Sequence, residues 1–281
     1  MLIAKWLISF LKPLVERFPR MVTIYRNMRD QFDGIQEPQA TPWGFKLAGN
    51  AAMAQGEFEP EETKLVRKIL KDVDILVNVG ANVGYYCCHA LSMGKPVIAF
   101  EPMERNLHYL CKNIKSNNWN GAEIYPIALS NTVGILEIYG GDTGASLVKG
   151  WADIPESHVT LVPSSTMDVV LGSRLQGKKA LILVDIEGAE KWMLEGASIM
   201  LANDPKPVWL VEIVTKEHQP LGTEINPNFV STFQLFINND YQAFSVDQHL
   251  RSVTPEDVDL LSKGILESGT YNYLFWESKK E

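Results

Sequence analysis

Short runs of apolar residues alternate along this chain with segments of helical character, and this alternation limits the possible folds more than any other feature. The runs are continuous rather than alternating with polar residues, which indicates a sheet covered on both faces. The strand-then-helix order indicates parallel crossovers. We therefore predict an α/β fold with a doubly wound, mostly parallel, Rossmann-like sheet of seven strands. The predicted strands are Ile75–Val79, Pro96–Phe100, Ala122–Ile127, Ala180–Val184, Val208–Ile213, Tyr241–Phe244 and Tyr271–Trp276.

The segments between these strands predict the helices and one insertion. A helix is expected from Pro60, because acidic residues come early in it and basic residues late, as the helix dipole favours. The stretch from Leu129 to Gly172 is rich in glycine and predicts a hairpin inserted near the carboxyl ends of the strands, where loops carry function. The other predicted helices are Tyr85–Met93, Glu104–Asn117, Ala189–Leu201 and Asn228–Asn239.

The N-terminal segment Met1–Phe18 is rich in large apolar side chains, but lysines and a proline interrupt them. Its uninterrupted apolar run is shorter than the roughly 18–20 apolar residues that span a bilayer. It predicts a helix that packs on the domain or on a second subunit or, alternatively, lies at a membrane interface. We expect residues 1–56 to form an amphipathic helix and a connector, and residues 57–281 to form the main domain. The expected location is the cytoplasm, with contact to the inner membrane face as the alternative.

The charge and the cysteine content limit the partners. The formal net charge of −8 argues against nucleic acid as a partner, because binding to phosphates requires clustered Lys and Arg. The three cysteines show no metal-ligand spacing, which favours free thiols in a reducing compartment. We expect a small-molecule or saccharide partner instead, and an oligomer is compatible with the sequence.

A glycine turn after the first long strand predicts a cofactor site. Gly80 allows a tight turn and a close approach of the backbone to a ligand, and Gly84 opens the next helix. Glu101 follows about 20 residues later at the end of the next strand, where a carboxylate reaches both ribose hydroxyls. Asn82 replaces the middle glycine of a dinucleotide motif and the bulky Tyr85 follows, which favours S-adenosylmethionine. A nicotinamide-dependent oxidoreductase is the alternative.

Four short motifs, in the same order along the chain, resemble the FkbM-type family of class I S-adenosylmethionine-dependent methyltransferases. They are Asn78–Tyr86, Phe100-Glu101-Pro102, Ala128-Leu129-Ser130 and Asp185-Ile186-Glu187-Gly188-Ala189-Glu190. The resemblance covers residues from about Gly56 to Trp276. It implies the class I methyltransferase fold and methyl transfer to a hydroxyl, often on a sugar, a glycosylated lipid or a natural product.

The turn and the resemblance together assign residues to the cofactor. The family usually has Asp where this chain has Asn78, and that Asp would help to hold the charged methionine portion. We therefore expect a lower affinity, and a cofactor-binding module without turnover is a second alternative. The expected cofactor-binding residues are Asn78, Gly80, Ala81, Asn82, Gly84, Tyr85, Glu101, Pro102, Asn106, Ala128 and Ser130.

Carboxylates at the ends of later strands predict the acceptor side. Asp185 ends a buried strand, where a carboxylate needs partners, so we predict that Asp185 and Glu187 are catalytic. For Glu187 and Glu190 the alternative role is to stabilise the start of the next helix. Asp185, Glu187 and Glu212 without a nearby histidine would suit Mg²⁺, which makes a divalent metal a further hypothesis.

Overall fold

The structure is a computed structural model that describes residues 36–141, 144–247 and 250–277. The described residues from Gln39 onward group into one compact unit. The helix expected in Met1–Phe18 lies outside the described residues. In the part of the chain that is described, no helix has the length and apolar character needed to cross a membrane.

Thirteen strands occur in the described residues, and eight of them form the central sheet. In that sheet the order is β12-β11-β13-β10-β9-β3-β4-β5. The strands, numbered in chain order, are β1 (Gln39–Ala40), β2 (Lys46–Leu47), β3 (Ile75–Val79), β4 (Val97–Phe100), β5 (Ala122–Tyr125), β6 (Ala128–Leu129), β7 (Gly134–Tyr139), β8 (Val159–Ser165), β9 (Ala180–Val184), β10 (Val208–Glu212), β11 (Tyr241–Ser245), β12 (Arg251–Val253) and β13 (Asn272–Glu277).

The predicted doubly wound sheet is confirmed. Strands β5, β4, β3, β9 and β10 are mutually parallel, while β13 is antiparallel to both β10 and β11. All seven predicted strands are present. The eighth strand, β12, pairs with β11 at one edge and was missed, because its three residues are exposed or half-buried and form no apolar run.

Alternate side chains of the central strands enter two separate cores. Ile75, Val77 and Val79 of β3 pack in one core, whereas Leu76 packs in the other. The side-chain period of a strand is two residues, so a continuous apolar run supplies both faces at once. The helices, also numbered in chain order, are α1 (Ala51–Gln55), α2 (Pro60–Ile69), α3 (Tyr85–Ser92), α4 (Glu104–Ser116), α5 (Met167–Leu171), α6 (Glu190–Glu195), α7 (Ser198–Leu201), α8 (Phe229–Ile237) and α9 (Pro255–Ser262).

The helices divide between the two faces of the sheet. Helices α1 to α4 contribute to the core that contains Leu76, and α5 to α9 contribute to the core that contains Val77. The segment predicted as one helix over Ala189–Leu201 is two helices, α6 and α7, with Gly196 between them. A Cβ at Gly196 would lie 2.3 Å from the carbonyl oxygen of Ser130, so the backbones meet there without room for a side chain.

The predicted insertion forms a small sheet of its own. Strands β7 and β8 are the expected antiparallel hairpin, and β6 pairs with β8 in parallel. The run predicted as the single strand Ala122–Ile127 therefore ends at Tyr125 in the central sheet. The chain then enters the second sheet at Ala128. This transfer carries the insertion to the carboxyl end of β5.

Residues 39–56 were expected to be a connector, but they belong to the same compact unit as the main sheet. Asn113 of α4 and Asn117, which directly follows that helix, bind the backbone of this segment as a neighbouring strand would. Asn113 accepts from the amide of Ala48 at 2.8 Å and donates to its carbonyl oxygen at 3.0 Å. Asn117 makes the same pair of bonds to Lys46, both at 2.8 Å. Asn113 also donates to the carbonyl oxygen of Val83 at 2.8 Å, which links the segment to the glycine turn.

Replacing Asn113 by Ala should lower the free energy of unfolding by about 3 kcal/mol, because buried peptide groups lose their partners. The matched change Asn117→Ala is expected to cost about 1 kcal/mol, since that side chain lies at the surface. Urea unfolding of the two variants measures both costs. Equal losses would show that burial of the amide does not set the cost.

Candidate functional site

The site is built where the turn after β3 meets the end of β9. Gly80 has a φ of +79°, and a Cβ on it would lie 1.9 Å from the carbonyl oxygen of Asp185. The amide of Asp185 donates to the carbonyl oxygen of Val79 at 3.1 Å. Only glycine fits this position, both because of its conformation and because of the close approach.

Glu101 closes the turn from the end of β4. One carboxylate oxygen accepts from the backbone amide of Asn82 at 2.7 Å, and the other accepts from that of Met103 at 2.8 Å and from the Asn106 side chain at 3.4 Å. Burial raises the pKa of Glu101 to about 7, although these N–H bonds favour the charged form. Asn82 has a left-handed backbone, with a φ of +52°, which turns its amide toward this carboxylate.

The first of two adjoining clefts, the Glu101 cleft, has an empty volume of about 580 Å³. Its polar floor comes from the ends of β3, β4 and β9, and its apolar wall comes from the segment after β5 and from the insertion. The lining residues are Val79, Gly80, Asn82, Phe100, Glu101, Pro102, Met103, Asn106, Ile127, Ala128, Leu129, Ile138, Ala145, Leu147, Asp185, Ile186, Glu187 and Ala189.

The second, the Glu62 cleft, lies beside it and has an empty volume of about 460 Å³. The two clefts share Gly80, Asn82 and Asp185. The remaining lining residues of the Glu62 cleft are Met53, Phe58, Glu59, Glu62, Asn78, Ala81, Tyr85, Tyr86, Leu183, Val184, Leu210, Glu212 and Asn272.

Several carboxyl groups line the Glu62 cleft, and their pKa values are raised. Burial, together with the nearby charge of Glu59, raises the pKa of Glu62 to about 8. Burial also raises the pKa of Glu212 to about 8. The pKa of Asp185 lies well above its usual range, first because of burial and then because of Glu212 and Glu187. Each of these groups disfavours the ionisation of the others.

The structure brings together most of the residues predicted for the site. Gly84 and Ser130 line neither cleft: Gly84 packs against Leu110 at the start of α3, and Ser130 is buried beside β8. The predicted residues that line at least one cleft are Asn78, Gly80, Ala81, Asn82, Tyr85, Glu101, Pro102, Asn106, Ala128, Asp185, Glu187 and Glu212. Whether each of them binds or reacts stays a prediction.

Trp151, in a 3-10 turn of the insertion, holds the loop that carries Glu187. Its indole N–H donates to the Glu187 carboxylate at 2.8 Å, and a Cβ on Gly188 would lie 2.6 Å from the indole ring. The Ser146 hydroxyl donates to the carbonyl oxygen of Glu187. Glu187 itself has a left-handed backbone, with a φ of +55°. The insertion therefore positions the Glu187 carboxylate. The sequence did not reveal this role, because Trp151 and Glu187 are far apart along the chain.

The residues fit a divalent metal poorly. In the described ranges, no group of three or more His, Cys, Asp or Glu side chains is arranged to hold a metal ion. Asp185, Glu187 and Glu212, the expected ligands, influence one another's charge without forming such a group.

The comparisons with known proteins identify the family. Residues 78–243 match the family model described as "Methyltransferase FkbM domain". The chain belongs to the FkbM methyltransferase family. The resemblance seen in the four motifs is thus confirmed, and the protein is an S-adenosylmethionine-dependent methyltransferase. This assignment favours S-adenosylmethionine over the nicotinamide alternative.

Solved structures of other methyltransferases are similar at low identity. The precorrin-6y C5,15-methyltransferase from Geobacter metallireducens GS-15 is 10% identical with a TM-score of 0.43, over 83% of this chain and 93% of that one. TYW2 from M. jannaschii, in complex with AdoMet, is 15% identical with a TM-score of 0.39, over 82% and 79%. An S-adenosylmethionine-dependent methyltransferase from Agrobacterium tumefaciens is 9% identical with a TM-score of 0.44, over 86% and 70%. A search of curated proteins found no match.

The residues present in this FkbM methyltransferase fit the cofactor. Gly80 lines the Glu101 cleft at the edge of the sheet, and Glu101 offers a carboxylate at the end of the neighbouring strand. The apolar wall beyond it, formed by Ile127 and Leu147, suits a flat aromatic base. The Glu101 cleft therefore suits an adenosine, and the carboxylates next to it suit positive charge.

The free energy of unfolding of the protein should fall as the pH rises from about 4.5 to about 8. The usual pKa of 4.5 for Glu62 and Glu212 is raised to about 8 in the folded protein. The folded state therefore binds more protons across this window, and that stabilisation is lost as these groups ionise. Urea unfolding at several pH values measures the slope, and Glu212→Gln should make it shallower. An unchanged slope in that variant would contradict the assignment.

Proposed function

We propose that this methyltransferase transfers the methyl group of S-adenosylmethionine to a hydroxyl on a saccharide, a glycolipid or a related small metabolite. The observation that carries the proposal is the position of Asp185, which among the described residues is the one carboxylate that lines both clefts. A ligand in either cleft would therefore contact Asp185. Membership of the family supports methyl transfer as the reaction, and Asp185 would be the base for an acceptor hydroxyl.

The residues of the Glu101 cleft would hold the cofactor. The Glu101 carboxylate would accept hydrogen bonds from the ribose hydroxyls, and the wall that includes Ile127 and Ala128 would contact the adenine. Gly80 would allow the chain of the cofactor to pass over the end of β3 toward Asp185. The bound cofactor supplies an electrophilic methyl group on a sulfonium.

Asp185 would orient the acceptor hydroxyl and take its proton. Its pKa lies well above the usual range of a carboxyl group, because it is buried and faces Glu212 and Glu187. A carboxylate with a raised pKa is a stronger base, and general base catalysis is most effective when that pKa approaches the working pH. Glu187, held by Trp151, would contact the acceptor from the side of the insertion.

The charge of the clefts supports a small acceptor rather than a nucleic acid. Carboxylates line both clefts, and the formal net charge of the chain is −8. A phosphate backbone would be repelled, because its binding depends on Lys and Arg. An uncharged hydroxylated compound meets no such repulsion and offers donors to the carboxylates.

Glu101→Ala should weaken the binding of S-adenosylhomocysteine by roughly 10-fold to 150-fold, because a hydrogen bond to a charged group contributes about 1.5–3 kcal/mol. Isothermal titration calorimetry measures the change. Glu104→Ala, which removes an exposed carboxylate at the start of α4, three residues after Glu101, is the control and should bind like the wild type. Wild-type protein that shows no binding would count against the proposed function itself.

Asp185→Asn should lower kcat by roughly 10²-fold to 10⁴-fold, the usual contribution of a general base. The affinity for S-adenosylhomocysteine should change far less. Transfer of a radiolabelled methyl group to a panel of saccharides and glycolipids measures turnover, with the exposed Asp72→Asn as the control. If wild type and Asp185→Asn transfer at the same rate, Asp185 takes no part in the chemistry. Binding by the wild type without transfer to any acceptor would favour a module without turnover.

A further inference from the structure

Tyr271 is an exposed aromatic side chain at the edge of the sheet where the clefts open. It is 38% exposed and directly precedes β13, and Trp276, near the far end of that strand, is 36% exposed. Because β13 is antiparallel to β10, Tyr271 lies at the carboxyl edge of the parallel strands and Trp276 lies toward the opposite edge. Trp276 packs on Phe244, with 4.5 Å between the ring centroids, whereas no aromatic ring among the described residues packs on Tyr271. Part of the Tyr271 ring is therefore open to a ligand.

Tyr271 lies beside the Glu62 cleft but outside it. The next residue, Asn272, lines this cleft and is the register partner of Glu212, which also lines it. The amide of Ile213 donates to the carbonyl oxygen of Tyr271 at 2.7 Å, which fixes the backbone of Tyr271 to the end of β10. Tyr271 itself lines neither cleft. A molecule that extends out of the Glu62 cleft past Glu212 would therefore contact the Tyr271 ring.

A carboxylate lies near the Tyr271 hydroxyl. It belongs to Glu217, an exposed residue of the loop that follows β10. Burial, the Glu217 carboxylate and then Glu212 raise the pKa of Tyr271, so the phenol keeps its proton at neutral pH. The loop is closed by Asn226, whose amide donates to the carbonyl oxygen of Thr215 at 2.7 Å. The rim of the Glu62 cleft thus presents a flat apolar ring and hydrogen-bond acceptors side by side.

The loop that carries Glu217 is also joined to the insertion. The amide of Ala152 donates to the carbonyl oxygen of His218 at 2.8 Å, and the ring centroids of His218 and Trp151 are 5.9 Å apart. Trp151 in turn donates to Glu187, which lines the Glu101 cleft. The loop therefore connects the rims of the two clefts, and the position of Glu217 relative to the site is fixed.

The chemistry of this rim suits a sugar ring. A pyranose has a face of C–H groups and a circle of hydroxyl groups around it. The C–H face packs on a flat aromatic ring, and the neighbouring hydroxyls donate to a carboxylate. Aromatic rings combined with a few polar groups are the usual composition of a small-molecule site. A phosphate, in contrast, would be repelled by the carboxylates of Glu217 and Glu212.

We propose that Tyr271 and Glu217 form a subsite that binds a second sugar ring of the acceptor, next to the ring that is methylated. The proposal rests on the proposed function, in which the hydroxyl that reacts meets Asp185 inside the clefts. Because Tyr271 lines neither cleft, the ring that packs on it differs from the ring at Asp185. The acceptor then carries at least two linked sugars, and a free monosaccharide is a poor substrate.

Methyl transfer to matched monosaccharides and disaccharides tests the subsite, with glucose and cellobiose, galactose and lactose, and mannose and mannobiose as the pairs. For the preferred pair, the wild type should have a KM for the disaccharide roughly tenfold below that for the monosaccharide. Tyr271→Ala should raise the KM for the disaccharide by roughly fivefold to tenfold and change kcat by less than about twofold, because the ring binds the acceptor without touching the reacting atoms. The KM for the monosaccharide should stay within about twofold of the wild type.

Three further variants separate the ring from its hydroxyl and from aromatic exposure in general. Tyr271→Phe keeps the ring and should keep most of the preference for the disaccharide. Trp276→Ala removes a similarly exposed ring near the far end of β13, so it is the control and should behave like the wild type. Glu217→Ala changes an exposed loop residue and should also reduce the preference, which keeps the proposal testable if Tyr271→Ala does not fold.

Equal changes for monosaccharides and disaccharides, or an unchanged preference in both Tyr271→Ala and Glu217→Ala, overturn the proposal. If the wild type transfers to no saccharide, the proposed function fails, and saturation-transfer NMR of the three disaccharides in the presence of S-adenosylhomocysteine still reports on the subsite. Signals that the wild type gives and Tyr271→Ala abolishes support the subsite. Signals that persist in Tyr271→Ala, or that are absent from the wild type, overturn it.

Discussion

The close approach of Gly80 to the carbonyl oxygen of Asp185 is the constraint on which the site depends. It joins the ends of β3 and β9, which lie side by side in the sheet, and leaves no space for a side chain between them. The turn that follows β3 can then bring its amides to the Glu101 carboxylate. Both clefts open at this junction, and for this reason one residue, Asp185, faces each of them.

The alternation of side chains along β3 explains why there are two clefts rather than one. Val79 points to the core of α5 to α9 and lines the Glu101 cleft, whereas Asn78 points to the opposite face and lines the Glu62 cleft. A ligand that crosses the end of β3 passes from one face to the other. The apolar wall and the carboxylates are therefore separated by the thickness of one strand, and a molecule with an aromatic end and a cationic end can meet both.

The sequence was sufficient for the parts of the structure that follow local rules. Apolar runs predicted the seven main strands, and the glycine turn with Glu101 predicted where the larger cleft lies. Glu62 illustrates what local rules miss: its place in the first turn of α2 suggested a role with the helix dipole, but the packing of α2 on α3 turns its side chain into a cleft. Trp151 was missed for a similar reason, because its contact with Glu187 spans 36 positions of the chain.

The hydrogen bonds from Asn113 and Asn117 to the segment before α1 have a consequence for how the chain can change over evolution. The two side-chain amides bind peptide groups and make no hydrogen bond to the side chains of Lys46 and Ala48. Ala48 is in addition constrained by its burial in the core, whereas Lys46 is exposed. Their spacing is a different matter, because positions four apart on a helix match positions two apart on an extended chain. Substitutions at the exposed Lys46 can therefore accumulate, whereas a single insertion or deletion between the two positions would shift the segment out of register with the two asparagines.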